Sequence, residues 1–170
     1  MRNIELKARL ADLAAARLVA ASVATRHVGT QQQVDTYFDC RQGRLKLREI
    51  DGRSAQLVWY ARADRSGPKA SDYRLVPVDD PVGLKAALSE ALGVRVIVEK
   101  RREIFLVDNV RIHLDEVVGL GDFLEFEAVL GPQCDDRDGH LRVDELATKF
   151  GLAEADLVRG SYADLLGSNS

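Results

Sequence analysis

The sequence is poor in the residues that build disulfide and zinc sites. Cysteine occurs twice in 170 residues, as Cys40 and Cys134, and forms no CxxC pair. Two scattered thiols exclude a disulfide scaffold and supply no metal knuckle. Histidine occurs three times, as His27, His113 and His140, without ligand spacing, so zinc is not expected. No apolar run approaches the length of a membrane-spanning helix, about 20 residues, so no membrane partner is expected. Glu5 and Lys7 interrupt any apolar stretch near the start, so a secretory signal is not expected and the cytoplasm is the expected compartment. The familiar phosphate loops, GxxxxGKS/T and GxGxxG, are missing, and Gly119-Leu120-Gly121 alone is too short to cradle a phosphate. No serine sits in a GxSxG elbow, and no Cys/His nucleophile pair is visible. Excess positive charge is missing too. A net charge of −3 argues against a general nucleic-acid binder.

What is present is an ordinary globular composition, 46% apolar and 30% charged. The length suits one domain, residues 1–170, with a sizeable core. Arg2 to Leu10 alternates strictly, with Ile4, Leu6 and Ala8 on one face and Glu5, Lys7 and Arg9 on the other, which predicts a half-buried strand. Asp12 caps a predicted helix running to about Ala24. Strands are predicted over Val34 to Asp39, Arg44 to Ile50 and Ser54 to Ala63, the last two joined by an Asp51-Gly52 hairpin turn. Ser71 to Val78 is a further strand. Asp80-Pro81 opens a second helix that ends near Gly93. Val94 to Val107 and Arg111 to Val117 pair across Asp108-Asn109, and Phe123 to Leu130 is the last strand. Helical pattern returns around Leu141 to Phe150 and in a short tail. Eight strands joined mostly by short turns predict an α+β fold, and eight suffice for a closed antiparallel β-barrel with the helices outside.

The charges are informative when sorted by strand face, because side chains two apart point the same way. One face collects nine basic residues: Lys7, Arg9, Lys46, Arg48, Arg62, Arg74, Lys100, Arg102 and Arg111. The same face collects four acids, Glu5, Asp115, Glu125 and Glu127, an excess of five positive charges. The rest of the chain holds 15 basic and 23 acidic residues, an excess of eight negative charges. For one charged strand, a solvated outer face is the ordinary reading. A one-signed excess recurring on nearly every strand is not self-neutralising, and the acids gather on the first and last two strands. Clustered carboxylates beside many ammonium and guanidinium groups suit a polyphosphate held with Mg²⁺ or Mn²⁺.

The residues also resemble a known family, the CYTH superfamily of triphosphate tunnel enzymes, over nearly the whole chain. Asn3-Ile4-Glu5-Leu6-Lys7 is similar to its ExExK strand, with Asn3 in place of the first Glu. The resemblance continues through Tyr37-Phe38-Asp39, Leu45-Lys46-Leu47-Arg48, Glu99-Lys100-Arg101-Arg102 and His113-Leu114-Asp115-Glu116-Val117. The segments Gly119-Leu120-Gly121-Asp122-Phe123 and Ser161-Tyr162-Ala163-Asp164-Leu165-Leu166 resemble the class IV adenylate cyclase branch. The resemblance implies an eight-stranded tunnel that binds a small-molecule triphosphate in its lumen. It implies metal carboxylates at Glu5, Glu125 and Glu127 with Asp115 near them, and phosphate contacts from the basic set. Glu5 and Lys7 are the implied catalytic pair, with Lys7 either easing deprotonation of the nucleophile or contacting phosphate. The implied reaction is conversion of ATP to cyclic AMP and pyrophosphate. Hydrolysis of thiamine triphosphate, a nucleoside triphosphate or inorganic tripolyphosphate is the alternative, and a non-catalytic polyphosphate sensor is a third. The resembling cyclases are often dimers, so a homodimer is among the expected assemblies.

Overall fold

The computed structural model describes residues 1–167, so the end of the expected single domain, residues 168–170, lies outside the described residues. Among the described residues eight strands occur: β1 (Arg2–Arg9), β2 (Arg26–Phe38), β3 (Arg44–Ile50), β4 (Ser54–Arg62), β5 (Lys69–Val78), β6 (Val94–Val107), β7 (Val110–Val117) and β8 (Gly121–Val129). They close into an antiparallel barrel in the order β1-β5-β4-β3-β2-β6-β7-β8, which leaves no strand edge unpaired among the described residues. The helices are α1 (Leu13–Val23), α2 (Pro81–Leu92), α3 (Asp136–Lys149) and the short α4 (Tyr162–Gly167).

Alternation places each residue of β1. Its even members Ile4, Leu6 and Ala8 point outward into a core shared with Ile112, Leu114, Leu124 and Phe126 and covered by α1 and α3. Asn3, Glu5 and Lys7 point into the lumen, so the middle of the strand is buried on both faces. Each fully buried Ile, Leu or Phe of this core contributes about 1.5–3 kcal/mol. Aspartates start the longer helices: Asp12 accepts from the Ala15 amide and Asp80 from the Gly83 amide, each at 2.9 Å. Asp51 and Gly52 both adopt positive φ in the β3–β4 hairpin, as a two-residue primed turn requires.

Several expected boundaries differ, and β8, like β5, begins two residues early, at Gly121. Strand β2 begins at Arg26, eight residues before the predicted Val34, because Thr30 to Gln33 is a polar run without hydrophobic alternation. Strand β5 begins at Lys69, two residues early. Helix α3 begins at Asp136 rather than near Leu141, with Asp135 as its cap in a capping box.

Candidate functional site

The barrel encloses a cavity of about 470 Å³ lined by residues from all eight strands and by Ser161 and Tyr162. One end is open. There Val28 and Leu75 line the cavity yet remain 47% and 37% exposed, beside Ile50, Ile104 and Leu106. The other end is closed by the chain's C-terminal segment. The Val158 amide donates to the Lys7 carbonyl at 2.8 Å, and Lys69 Nζ donates to the carbonyls of Arg65, Val158 and Arg159. Tyr162 lies 3.8 Å below Lys7 Nζ, ring centroid to nitrogen, and its hydroxyl donates to Asp115 Oδ2 at 2.7 Å. Arg44 and Arg95 hold the Asp164 carboxylate of α4. The lumen is therefore a cul-de-sac floored by α4.

Seven of the nine predicted basic residues line it: Lys7, Lys46, Arg48, Arg62, Lys100, Arg102 and Arg111. Two do not. Arg74 is exposed on the barrel exterior, because β5 turns Ser71, Tyr73 and Leu75 inward, beside their partners Arg62, Tyr60 and Val58. Arg9, at the end of β1, is exposed, stacks over Phe123 and donates to the Leu120 carbonyl at 3.2 Å. An unpredicted lining cation, Arg26, comes from the missed first half of β2.

The predicted carboxylates divide into two kinds. Asp115 is fully buried behind the wall, where both oxygens take hydrogen bonds from Arg102 and one also takes that of Tyr162. Its place is to fix Arg102, which also donates to Glu125 at 2.7 Å. Glu5, Glu125 and Glu127 face the cavity. Register sets Glu5 opposite Glu127 and Lys7 opposite Glu125 across β1 and β8. Glu5 is engaged by Arg62, and Lys7 Nζ donates to Glu125 at 2.7 Å.

Besides Arg26, the sequence does not single out two further members of the site. His113 joins Glu125 and Glu127 in a trio whose ligand atoms all lie within 4.8 Å of one another. Burial, reinforced by the charge of Arg102, lowers the His113 pKa and keeps the imidazole neutral, the form that ligates metals. Against the opposing effect of burial, Lys7 and Arg102 hold the Glu125 carboxyl well below its usual range, and Glu127 is lowered as well. Two ionised carboxylates fit Mg²⁺ or Mn²⁺, and the neutral imidazole beside them is a nitrogen donor suited to a transition-metal ion rather than to Mg²⁺. Asn3 Oδ1, buried in the same wall without a hydrogen-bond partner, adds an uncommitted carbonyl oxygen.

Asp35 is the second omission. It is fully buried and takes hydrogen bonds of 2.7–2.8 Å from Lys46, Arg48 and Lys100. Burial disfavours its charge, but Arg48, Lys100 and Lys46 together hold its pKa well below the usual value. The cations answer differently. Burial, aided by repulsion from Arg48, lowers Lys46 to about 8, and burial also lowers Lys100 well below its ordinary value. One carboxylate thus gathers three cations that want more negative charge than the protein supplies. The signal for Asp35 was its place one residue after Val34 and two before Tyr37, on the face that carries the lumen.

A family model described as CYTH domain matches residues 1–162. The adenylate cyclase CyaB of Aeromonas hydrophila is 28% identical over 173 residues, covering 96% of this chain and 87% of that protein. The solved PH1012 protein of Pyrococcus horikoshii superposes with a TM-score of 0.85 at 23% identity, over 96% of this chain and 98% of its own. HpAC1 of Hippeastrum, named for adenylyl cyclase and described as having a dominant triphosphatase activity, has a TM-score of 0.67 at 18% identity, over 99% of this chain and 96% of its own. Among the described residues, no helix is long and apolar enough to cross a membrane.

Proposed function

The chain belongs to the CYTH domain family, and from that footing we propose that it is a divalent-metal-dependent enzyme converting ATP to cyclic AMP and pyrophosphate in its lumen. One observation carries this reading: the cul-de-sac is graded from inside to outside. Innermost are Lys7 and Lys100, both over the ring of Tyr162, with Lys46 and Arg48 sharing Asp35 with Lys100. The His113, Glu125 and Glu127 trio starts at that level, where Glu125 is bonded to Lys7, and runs outward to Glu127 beside Arg111, followed by the apolar rim of Ile50, Leu75, Ile104 and Leu106. A nucleoside triphosphate entering phosphates first puts its two terminal phosphates among the inner cations. Its α-phosphate then lies near the trio and its organic group near the rim.

Each wall group then has a task. Charge-assisted hydrogen bonds from Lys46, Arg48, Lys100 and Arg102 hold the terminal phosphates and stabilise the charge that develops on departing pyrophosphate. Lys7 is held as a donor by Glu125, which suits a phosphate contact better than a base. Glu125, Glu127 and His113 would hold the cation, with Glu5 across from Glu127. Such a cation supplies charge neutralisation on the phosphate and polarises its phosphorus. The lumen orients the ribose 3′-hydroxyl toward the α-phosphorus, a contribution of position rather than covalent chemistry.

A second reading, hydrolysis of a triphosphate, has a specific observation in its favour. Arg111 at the open end is 42% exposed in its side chain beside Glu127, so water reaches the trio. Incubation with ATP and Mn²⁺, with chromatography of every product, tests both. Cyclic AMP with equimolar pyrophosphate is expected. ADP and orthophosphate without cyclic nucleotide would replace the cyclase reading by the triphosphatase, and no turnover of any triphosphate would leave a binding protein.

A further inference from the structure

On the wall that β2 contributes, Gln33 is buried at 3% exposure, and its Nε2 donates to Gln31 Oε1 at 2.8 Å. The Gln33 carbonyl oxygen is buried and has no hydrogen-bond partner. The Gln31 amide nitrogen has no acceptor among the described residues, and both side chains line the cavity. A lone acceptor left in a dry wall costs about 1–3 kcal/mol, so the arrangement is expected to serve a ligand.

Two amides joined head to tail have a property independent of which way they are turned. The bond between them uses one donor and one acceptor. Whichever amide donates, one NH₂ and one C=O remain uncommitted, on two side chains that both line the cavity. That pair complements any ligand edge carrying a neighbouring acceptor and donor. Phosphate oxygens, which only accept, cannot satisfy the carbonyl.

The surroundings fit a planar heterocycle. Ile50 is the cross-strand partner of Gln33, and Ile104 that of Gly29, so both apolar side chains lie on the lumen face beside the amides. Gly29 itself leaves open space where a side chain would stand. On the other flank, Gln31 and Gln33 are paired in register with Arg102 and Lys100, two of the inner cations. The amide pair therefore lies at the border between the phosphate-gripping wall and the apolar rim.

We propose that Gln31 and Gln33 form a nucleobase subsite, reading the adjacent donor and acceptor on the Watson–Crick edge of the base. Because both amides can turn together, the subsite accepts either order of donor and acceptor. It separates nucleotides from inorganic polyphosphate more than one base from another. The proposal rests on the triphosphate reading of the lumen and names the class of triphosphate.

Calorimetric titration with Mg²⁺ present tests it, using inorganic tripolyphosphate and the α,β-methylene analogue of ATP as probes. Gln31→Leu and Gln33→Leu keep the side-chain volume but remove both polar groups. Each is expected to weaken the nucleotide about 10-fold, the discrimination of one good bidentate pair, and to leave tripolyphosphate unchanged. Retained tripolyphosphate binding also reports an intact barrel, and Gln31, only half-buried, carries little folding risk. Parallel loss of both probes would show that the amides hold phosphate and overturn the subsite alone, as would unchanged nucleotide affinity in both variants. Wild-type protein that bound neither probe would overturn the triphosphate reading itself, and the subsite with it.

Discussion

Three cations around Asp35 leave two positive charges that the wall does not neutralise. Their pairing is a compromise, since Lys46 and Lys100 have lowered pKa values while Asp35 is held ionised. Asp35→Asn removes the only negative charge in the group, and breaking a buried pair this way typically costs about 3–5 kcal/mol. The loss is expected without ligand and partly restored by tripolyphosphate, which returns negative charge to the same ammonium and guanidinium groups. Melting curves with and without tripolyphosphate check this; an equal drop under both conditions would mean that Asp35 only packs the wall. Glu127 makes a separate case, because it is the more accessible carboxylate of the His113 trio. Glu127→Gln keeps the shape and removes one ligand charge, so Mn²⁺ affinity is expected to fall about tenfold or more, given how strongly ligand charge sets affinity for hard cations. Paramagnetic-resonance titration of free Mn²⁺ measures it directly, and unchanged binding would dissolve the trio as a metal site. Neither Asp35 nor His113 stood out in the sequence. Each is a single polar residue on a strand, and what makes it a site is which neighbours the register sets beside it.

At the scale of elements, register decides what the sequence reveals. β1, β3, β6, β7 and β8 alternate apolar and charged residues because one face packs under helices while the other meets the lumen, so their faces are legible two residues at a time. On β5 the same rule picked the wrong face for Arg74. The lumen is apolar and aromatic there, lined by Tyr73 and Leu75, and the charged residue points to solvent as it would on any ordinary sheet. The first half of β2 escaped for a related reason: Gln31 and Gln33 face the lumen while Thr30 and Gln32 face outward, so polarity is uniform and no period shows. The helices follow local caps and were legible at Asp12 and Asp80 but late at α3. That helix carries Gly139 against the barrel, where an added Cβ would lie 2.7 Å from Ile4 Cγ1 and 2.8 Å from Leu130 Cδ2. Gly139→Val is therefore expected to lose about 1–3 kcal/mol by overpacking, despite the better helix propensity. Denaturant unfolding reads the change, and a gain in stability would mean that α3 shifts freely on β1.

For the molecule as a whole, an acidic chain turns its positive charge inward. Eight cations line the cavity against three carboxylates, with Asp35 and Asp115 behind them. A low-dielectric funnel of one sign concentrates anions and makes their capture fall with salt. It also ties binding and folding to pH. Asp35, Asp115, Glu125 and Glu127 all have carboxyl pKa values below their ordinary range, so the folded state binds fewer protons than the unfolded chain near pH 4. Their stabilisation is present above that range and is lost as the pH falls through it. Lys46 works in the opposite region. Its pKa is near 8 when folded and about 10.4 when unfolded, so its burial opposes folding below pH 8 and this penalty fades between the two values. A bound triphosphate changes that balance, because an anion beside Lys46 and Lys100 favours their ammonium forms. Binding at pH 8.5 must then take up protons, and affinity must weaken as the pH rises further. Calorimetry of tripolyphosphate binding in two buffers of unequal ionisation enthalpy measures the uptake. Heats that differ between the buffers, with the sign of proton uptake, are expected, and Lys46→Arg, which stays charged throughout, should reduce the difference. Identical heats in both buffers would show that the inner lysines are already fully protonated, and that the wall meets its ligand without adjusting its charge.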